Sequence, residues 1–320
     1  MNNKTLNSTC VCNDRLAWVN DMVYMALPCE HMIHKKCMNK NKKTCEYCDE
    51  HVEKYISIHD DDINDQQFAD LLSVKYYGDT THISIPKLID SLFDIMSLVT
   101  NLIFAADRKS GKELCERFFS MNNVSFRIFG YEKIKYESKK VFITNHVTHL
   151  DMVIMYYLFD TGFLASSFIN KPGMIDKINM LADVLIIERG GNKDRKTNVV
   201  EDMKKFVDKH GSICIFPTGM LGNPDTLQRF RTGAFNIGHP IYSVTIKYRN
   251  IIYDDKMDSY LIKMAGKANF QFDIYVNGPY YPPFDQNKIE AIRMKMAKNG
   301  GLLLSRVGNR DIKDSIPTNN

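Results

Sequence analysis

The sequence predicts an α/β protein in which a mostly parallel sheet is flanked by helices and preceded by a small cysteine-rich unit. Two observations carry this prediction: short β-branched runs alternate with helical stretches beyond residue 120, and six of the eight cysteines lie within the first 48 residues. A chain of 320 residues with 44% apolar residues can bury one large core beside a small second unit. We therefore expect two domains of unequal size.

The first unit, residues 1–55, contains four pairs of potential metal ligands. In chain order they are Cys10 and Cys12, Cys29 and His31, His34 and Cys37, and Cys45 and Cys48. Eight thiolate and imidazole ligands suffice for two tetrahedral zinc ions, which would supply much of the folding free energy of so short a segment. Residues 1–9 are polar and lack the apolar stretch of a signal peptide, so we expect a reducing compartment and metal binding rather than disulfides.

This ligand spacing resembles that of RING-H2 zinc fingers. The resemblance implies that the pairs interleave, with one zinc bound by Cys10, Cys12, His34 and Cys37 and the other by Cys29, His31, Cys45 and Cys48. One residue, Val11, separates the first two ligands, where the family usually has two. The resemblance also implies a ubiquitin-conjugating enzyme as a partner, although of the residues that form the family's contact surface only Val11 is present.

Residues 56–85 predict a polar linker, and residues 86–120 predict amphipathic, membrane-facing helices. Four polar residues recur at helical spacing and form a stripe opposite an apolar face: Asp90, Asp94, Ser97 and Asn101. Two aspartates make burial across a bilayer costly, whereas Arg108, Lys109 and Lys112 suit lipid phosphates. We expect a peripheral or monotopic protein on the cytoplasmic face of an intracellular membrane; a helix of the protein core explains the same pattern.

The α/β domain is expected over residues 121–300, followed by a polar tail over 301–320. Its elements, in order, are a strand over Val141–Asn145, a helix through Met152–Phe159, a strand over Val184–Ile187, a helix over Asn198–Lys209, and strands over Ser212–Phe216 and Ile241–Lys247. In parallel sheets of this kind, functional groups gather where strands end and helices begin. His146, Arg189 and Gly219 each follow a predicted strand, so we expect all three at one cleft.

His146 and Asp151 form the candidate catalytic pair. A histidine that titrates near neutrality removes a proton from an alcohol, and a carboxylate on its other nitrogen fixes the tautomer and stabilises the imidazolium. Five residues is too far for one face of a continuous helix, so we expect His146 in the turn before the helix and Asp151 in its first turns. The start of this helix should also supply N–H donors. The pair predicts acyl transfer to a hydroxyl group.

Five motifs in order resemble those of the glycerolipid acyltransferases, such as lysophosphatidate acyltransferase, over residues 124–250. They are Asn145-His146 with Asp151, the strand that ends at Arg189, Phe216-Pro217-Thr218-Gly219, the basic Arg231 before Gly233-Ala234-Phe235, and Pro240 at the start of the last strand. The resemblance implies a mostly parallel acyltransferase fold, acyl-CoA as donor, and a glycerol phosphate or lysophospholipid as acceptor. It assigns His146 as base, Asp151 as its orienting acid, and Arg189, Gly219 and Arg231 to substrate binding.

Two residues depart from the family's third motif and leave a second interpretation open. Thr218 stands in the glutamate position, and Leu221 stands where an arginine is frequent. The alternative is a RING-type ubiquitin ligase or scaffold that carries an inactive acyltransferase fold. The balance of 42 basic against 38 acidic residues, without long runs of one sign, argues against a nucleic-acid-binding protein under either interpretation.

Overall fold

The computed structural model describes residues 23–27, 29, 31–39, 41–46, 48–57, 105, 107–134, 137–166, 181–187, 199–250 and 270–308. Its strands are β1 Val23–Leu27, β2 Met32–His34, β3 Lys54–Ser57, β4 Ser125–Phe129, β5 Lys140–Thr144, β6 Gly162–Ser166, β7 Val184–Ile187, β8 Ser212–Ile215, β9 Thr226–Leu227, β10 Ile241–Asn250, β11 Gln271–Tyr280 and β12 Leu303–Leu304. Its α-helices are α1 Arg108–Met121, α2 Leu150–Phe159, α3 Val199–His210 and α4 Gln286–Gly300.

The N-terminal region forms a small antiparallel sheet in the order β2-β1-β3. Its buried cluster consists of Ala26, Cys29, Cys45 and Val52, with Tyr55 packed against it. Two of the four residues of this cluster are therefore cysteines. So small an apolar core contributes little to stability, which is the usual setting for a metal or another cross-link.

The large sheet has seven strands in the order β4-β11-β10-β5-β8-β6-β7. Every neighbouring pair is parallel except β10 and β11, which are antiparallel. The structure thus confirms the predicted fold class, a mostly parallel α/β sheet. β7 has the predicted limits, and β5, β8 and α3 differ from them by one residue at one or both ends. The sequence analysis did not predict β6, β11 or α4.

Helices cover both faces of this sheet, and the strands alternate between two apolar clusters. Along β5, Phe142 packs into the cluster shared with α1 and α2, whereas Val141 and Ile143 pack into the cluster shared with α3 and α4. Burial on both faces accounts for the unbroken apolar run of this strand. The core therefore holds the end of β5, where the candidate pair lies, from two sides.

Helix α1 begins at a capping box and packs on the α/β unit. The carboxylate of Asp107 accepts a hydrogen bond from the Ser110 N–H at 2.8 Å, and the Ser110 hydroxyl oxygen accepts one from the Asp107 N–H at 3.0 Å. Cys115 and Phe119 of this helix join the cluster of α2. The α/β unit therefore includes residues before the expected boundary at 121.

The expected membrane-facing segment lies mostly outside the described residues, including its polar stripe. Within the described part, Arg108 and Lys112 pair with Asp160 at 3.1 and 3.3 Å, so two cations assigned to lipid phosphates have carboxylate partners in the fold. A search of the described helices finds none with the length and apolar character needed to cross a bilayer.

Within the expected polar tail, Leu303–Leu304 forms β12. β12 pairs in parallel with β9, and Ser305 is buried. Arg293 of α4 holds this pair in place, because its buried guanidinium donates hydrogen bonds to the carbonyl oxygens of Leu227 and Ser305 at 2.8 and 3.0 Å.

Candidate active site and metal cluster

The structure brings His146 and Asp151 together at the end of β5. β5 ends at Thr144, His146 lies in the following turn, and Asp151 is the second residue of α2, as the spacing predicts. Nδ1 of His146 lies 3.0 Å from Oδ2 of Asp151. When Nδ1 carries the proton and donates it to this carboxylate, Nε2 presents the lone pair of a general base.

The Asp151 carboxylate is fully buried and accepts four hydrogen bonds. Oδ2 accepts from the Val147 and Thr148 N–H groups at 2.6 and 3.0 Å as well as from His146, and Oδ1 accepts from the Tyr248 hydroxyl at 2.5 Å. A buried carboxylate is tolerated only with such compensation. We expected free N–H donors at the start of the helix, but the Val147 and Thr148 N–H groups donate to Asp151 instead.

Asn145, the first residue of the motif, ties the catalytic turn to the neighbouring strand. Its side-chain amide donates to the Ile246 carbonyl and accepts from the Ile246 N–H, both at 2.9 Å. Backbone pairing of β5 with β10 ends at Thr144 and Val244. The Asn145 side chain thus continues the ladder beyond the end of β5, which explains why an amide, with one donor and one acceptor, precedes the histidine.

The His146 ring stacks on Phe216, with ring centroids 3.8 Å apart and an interplanar angle of 22°. The His146 side chain retains 15% of its exposure. The imidazole is therefore held by Phe216 on one face and by Asp151 at Nδ1, which fixes the direction of Nε2. A ring restrained in this way loses little entropy on reaching the reactive geometry.

The third motif forms a loop joined to the backbone of His146. Gly222 donates its N–H to the His146 carbonyl at 2.7 Å, and the Arg231 N–H donates to the Pro217 carbonyl at 2.9 Å. Gly219 has φ +77°, and a Cβ there would lie 3.1 Å from Nε of Arg231. The glycine thus permits a left-handed turn and a close approach of the guanidinium, so the structure places Gly219 beside Arg231.

The remaining candidates of this region differ in their placement. Thr218 is buried, and its hydroxyl donates to the Met220 carbonyl at 3.1 Å, which stabilises the loop without a carboxylate. Leu221 is half-buried in the same loop.

Cys214 is fully buried in β8, and burial raises the pKa of its thiol well above the usual value. Arg189 lies outside the described residues.

Four of the predicted zinc ligands come together in the N-terminal unit. The ligand atoms of Cys29, His31, Cys45 and Cys48 all lie within 4.8 Å of one another. This is the set that the RING-H2 resemblance assigns to one ion. Burial raises the pKa of the Cys29 thiol to about 12, so its thiolate needs a nearby positive charge.

The second predicted ligand set is described only in part. His34 is buried at the end of β2, and Cys37 is half-buried in the short 3-10 turn that follows. Cys10 and Cys12 lie outside the described residues.

Sequence reasoning did not identify Tyr248, Phe216 or the role of Asn145 in the site. Tyr248 and Asp151 are 97 residues apart, and their contact depends on β10 lying next to β5. An aromatic residue in an apolar strand is ordinary core by pattern alone. The sequence feature that could have indicated Phe216 and Tyr248 is their position at or near the ends of two predicted strands, where functional sites of this fold gather.

Part of the chain is similar in sequence to known proteins. Residues 125–247 match the family described as Acyltransferase. This part of the chain is similar to the acyltransferase family. The match contains the turn with His146 and Asp151, the third-motif loop and most of β10.

Similar sequences include lysophospholipid acyltransferases LPEAT2 and LPEAT1 of Arabidopsis thaliana, each 24% identical, over 190 and 185 residues. These matches cover 55% and 53% of this chain and 35% and 46% of the relatives. Glycerol-3-phosphate acyltransferase 3 of Xenopus laevis is 26% identical over 178 residues, which is 50% of this chain and 39% of that protein. The chain spans between about a third and a half of the length of the curated relatives it matches.

Among solved structures, the 1-acyl-sn-glycerophosphate (LPA) acyltransferase PlsC from Thermotoga maritima is similar, with a TM-score of 0.45 and 14% sequence identity. The similarity covers 66% of this chain and 89% of that chain.

Proposed function

We propose that this protein transfers a fatty acyl group from acyl-CoA to a hydroxyl group of a glycerol phosphate or lysophospholipid. The observation that carries the proposal is the hydrogen-bonded pair of His146 and buried Asp151 within the residues that match the acyltransferase family. The acceptor class is supported by the similar proteins, which are lysophospholipid and glycerol-3-phosphate acyltransferases. The amphipathic pattern of residues 88–106 supports action at the cytoplasmic face of an intracellular membrane, as a peripheral or monotopic protein.

In the proposed reaction, Nε2 of His146 removes the proton of the acceptor hydroxyl while its oxygen attacks the thioester carbonyl carbon. A C–O bond forms, and Asp151 stabilises the imidazolium through the 3.0 Å contact at Nδ1. The tetrahedral intermediate then expels CoA by breaking the C–S bond, and the imidazolium returns its proton to the departing sulfur. The histidine is regenerated neutral, and the products are the ester and free CoA.

The acceptor phosphate is proposed to bind the guanidinium of Arg231 beside Gly219, with Arg189 as a second cation. The exposed side chain of Arg231 lies against the glycine of the loop that is bonded to the His146 backbone. A guanidinium offers the forked donors that suit a phosphate. Thr218 is compatible with this loop, because its hydroxyl donates to the Met220 carbonyl and so stabilises the turn without the family's glutamate.

The experiment measures CoA release by the purified chain with acyl-CoA and lysophosphatidate or glycerol 3-phosphate. His146→Ala is expected to reduce the rate at least 100-fold, within the range attributed to general base catalysis. His239→Ala is the matched control, because its side chain has the same 15% exposure but lies beside Asp208. Release by the unmodified chain no faster than by His146→Ala would refute the function.

We also propose that the N-terminal unit binds two zinc ions. Cys29, His31, Cys45 and Cys48 fit one tetrahedral ion in donor type, number and mutual distance. The second would be held by Cys10, Cys12, His34 and Cys37. Zinc supplies a structural cross-link in this proposal and takes no part in acyl transfer.

A second candidate function is that of a RING-type ubiquitin ligase or scaffold, with a ubiquitin-conjugating enzyme as partner. The observation that favours it is the cluster of Cys29, His31, Cys45 and Cys48. Autoubiquitination that is lost in Cys45→Ser and kept in His146→Ala would support it. Absence of conjugation with a panel of conjugating enzymes would reject it, whereas CoA release would be unaffected by that result.

A further inference from the structure

We propose that Tyr248 is a positioning residue for the catalytic pair, an inference that rests on the acyltransferase function proposed above. Its phenol donates a 2.5 Å hydrogen bond to Oδ1 of Asp151. Oδ2 of the same carboxylate faces Nδ1 of His146. Tyr248 therefore acts on the imidazole through the carboxylate and has no contact with the reacting atoms.

The two oxygens of Asp151 have different partners. Oδ2 accepts from His146 and from the N–H groups of Val147 and Thr148, all of which belong to the same turn. Oδ1 accepts from Tyr248, which belongs to another strand. A carboxylate held by donors at both ends cannot rotate about its bond to Cβ, so Oδ2 stays directed at the imidazole.

The position of Tyr248 follows from the overhang of β10. The backbone pairing of β5 with β10 ends at Val244, and β10 continues to Asn250 past the catalytic turn. Tyr248 lies an even number of residues from Val244, on the same face, and is 2% exposed. Its ring packs on Phe272, with ring centroids 5.7 Å apart. The hydroxyl is thus fixed over Asp151 before any substrate arrives.

A phenol that donates to a carboxylate stabilises the charged form of that group more than its neutral form. Among the described residues, the titratable groups beside Asp151 are His146 of the turn, Tyr248 of β10 and Cys214 of β8. Burial raises the pKa of Cys214 well above the usual value, so this thiol stays neutral near neutral pH. Loss of the phenol should therefore make the pair bind a proton more readily.

The test compares Tyr248→Phe with Tyr242→Phe, which removes the same atom from a buried tyrosine on the same face of β10. We expect Tyr248→Phe to lower kcat at least about tenfold with little change in KM. The acid limb of its kcat/KM profile should move to higher pH by several tenths of a unit. Tyr242→Phe should keep the kcat and the pH profile of the unmodified chain.

A second readout does not depend on turnover, so it separates this inference from the proposed function. The imidazole of His146 is titrated by NMR, and Tyr248→Phe is expected to raise its midpoint even if no CoA is released by the unmodified chain. Incorporation of 3-fluorotyrosine at position 248 keeps the ring and makes the phenol a stronger donor, so the midpoint should fall. An unchanged midpoint in these variants, or the same change in Tyr242→Phe, would overturn the positioning role.

Discussion

Replacement of Asp151 by asparagine and by alanine should separate the charge of the carboxylate from its hydrogen bonds. In Asp151→Asn, the amide oxygen can occupy the place of Oδ2 and keep the bonds from His146, Val147 and Thr148. The NH2 group then takes the place of Oδ1 and donates to the Tyr248 oxygen. In Asp151→Ala, every one of these bonds is lost.

The free energies differ accordingly. A buried donor without an acceptor costs about 1–3 kcal/mol. Asp151→Ala strands the Val147 and Thr148 N–H groups and the Tyr248 hydroxyl, so the free energy of unfolding should fall by at least about 3 kcal/mol. Asp151→Asn should lose about 1 kcal/mol, because its bonds persist without charge assistance. Its kcat should nevertheless fall about 100-fold, equivalent to about 3 kcal/mol, because the imidazolium loses its counter-charge.

Urea unfolding followed by circular dichroism gives the first quantity, and CoA release gives the second. Asp160→Asn is the matched control, because this carboxylate is 49% exposed and pairs with Arg108 and Lys112. It should change stability by less than about 1 kcal/mol and leave kcat unaltered. If Asp151→Ala and Asp151→Asn have the same free energy of unfolding, the hydrogen bonds of the carboxylate do not stabilise the turn. If Asp151→Asn keeps the kcat of the unmodified chain, the charge of the carboxylate is not used in catalysis.

Three further predictions follow from contacts elsewhere in the structure. Gly219→Ala and Gly238→Ala should each lower the free energy of unfolding by about 1 kcal/mol, because both positions have positive φ. Only Gly219→Ala should also raise the KM for a phosphate-bearing acceptor, by about tenfold, because its Cβ would lie 3.1 Å from Nε of Arg231. Asn145→Ala should lower the free energy of unfolding by about 2 kcal/mol in urea titrations, since two buried hydrogen bonds are lost; a loss within experimental error would contradict the proposed continuation of the ladder. Cys45→Ser should lower the zinc content measured by mass spectrometry by one ion per chain, whereas Cys214→Ser, outside the cluster, should leave it unchanged.

The sequence predicts those parts of the fold that are encoded by local pattern. The β-branched run before Asn145 marks β5, and the spacing of His146 and Asp151 places them on either side of the start of α2, as the structure shows. The grouping of Cys29 and His31 with the last pair of cysteines is what the RING-H2 resemblance implies, and the structure brings these four side chains together. In each case the partners lie within one short segment of chain.

The rest of the site depends on the order of strands, which local pattern does not encode. Tyr248 reaches Asp151 because β10 lies beside β5 and extends beyond it. β11 lies between β10 and β4 and reverses the direction of the sheet, and its sequence alone does not reveal its neighbours. Local pattern also did not reveal β12, because Leu303–Leu304 pairs with β9, a strand about 75 residues earlier in the chain.

The amide of Asn145 has a consequence for how divergent sequences of this fold are interpreted. This side chain bonds to the Ile246 backbone and to the Thr144 hydroxyl, both within the sheet, so its work is architectural. A sequence of this fold without catalysis would still need an asparagine at this junction, whereas the junction does not use the imidazole. The asparagine therefore marks the sheet, and only the histidine and the aspartate bear on whether such a sequence is an enzyme.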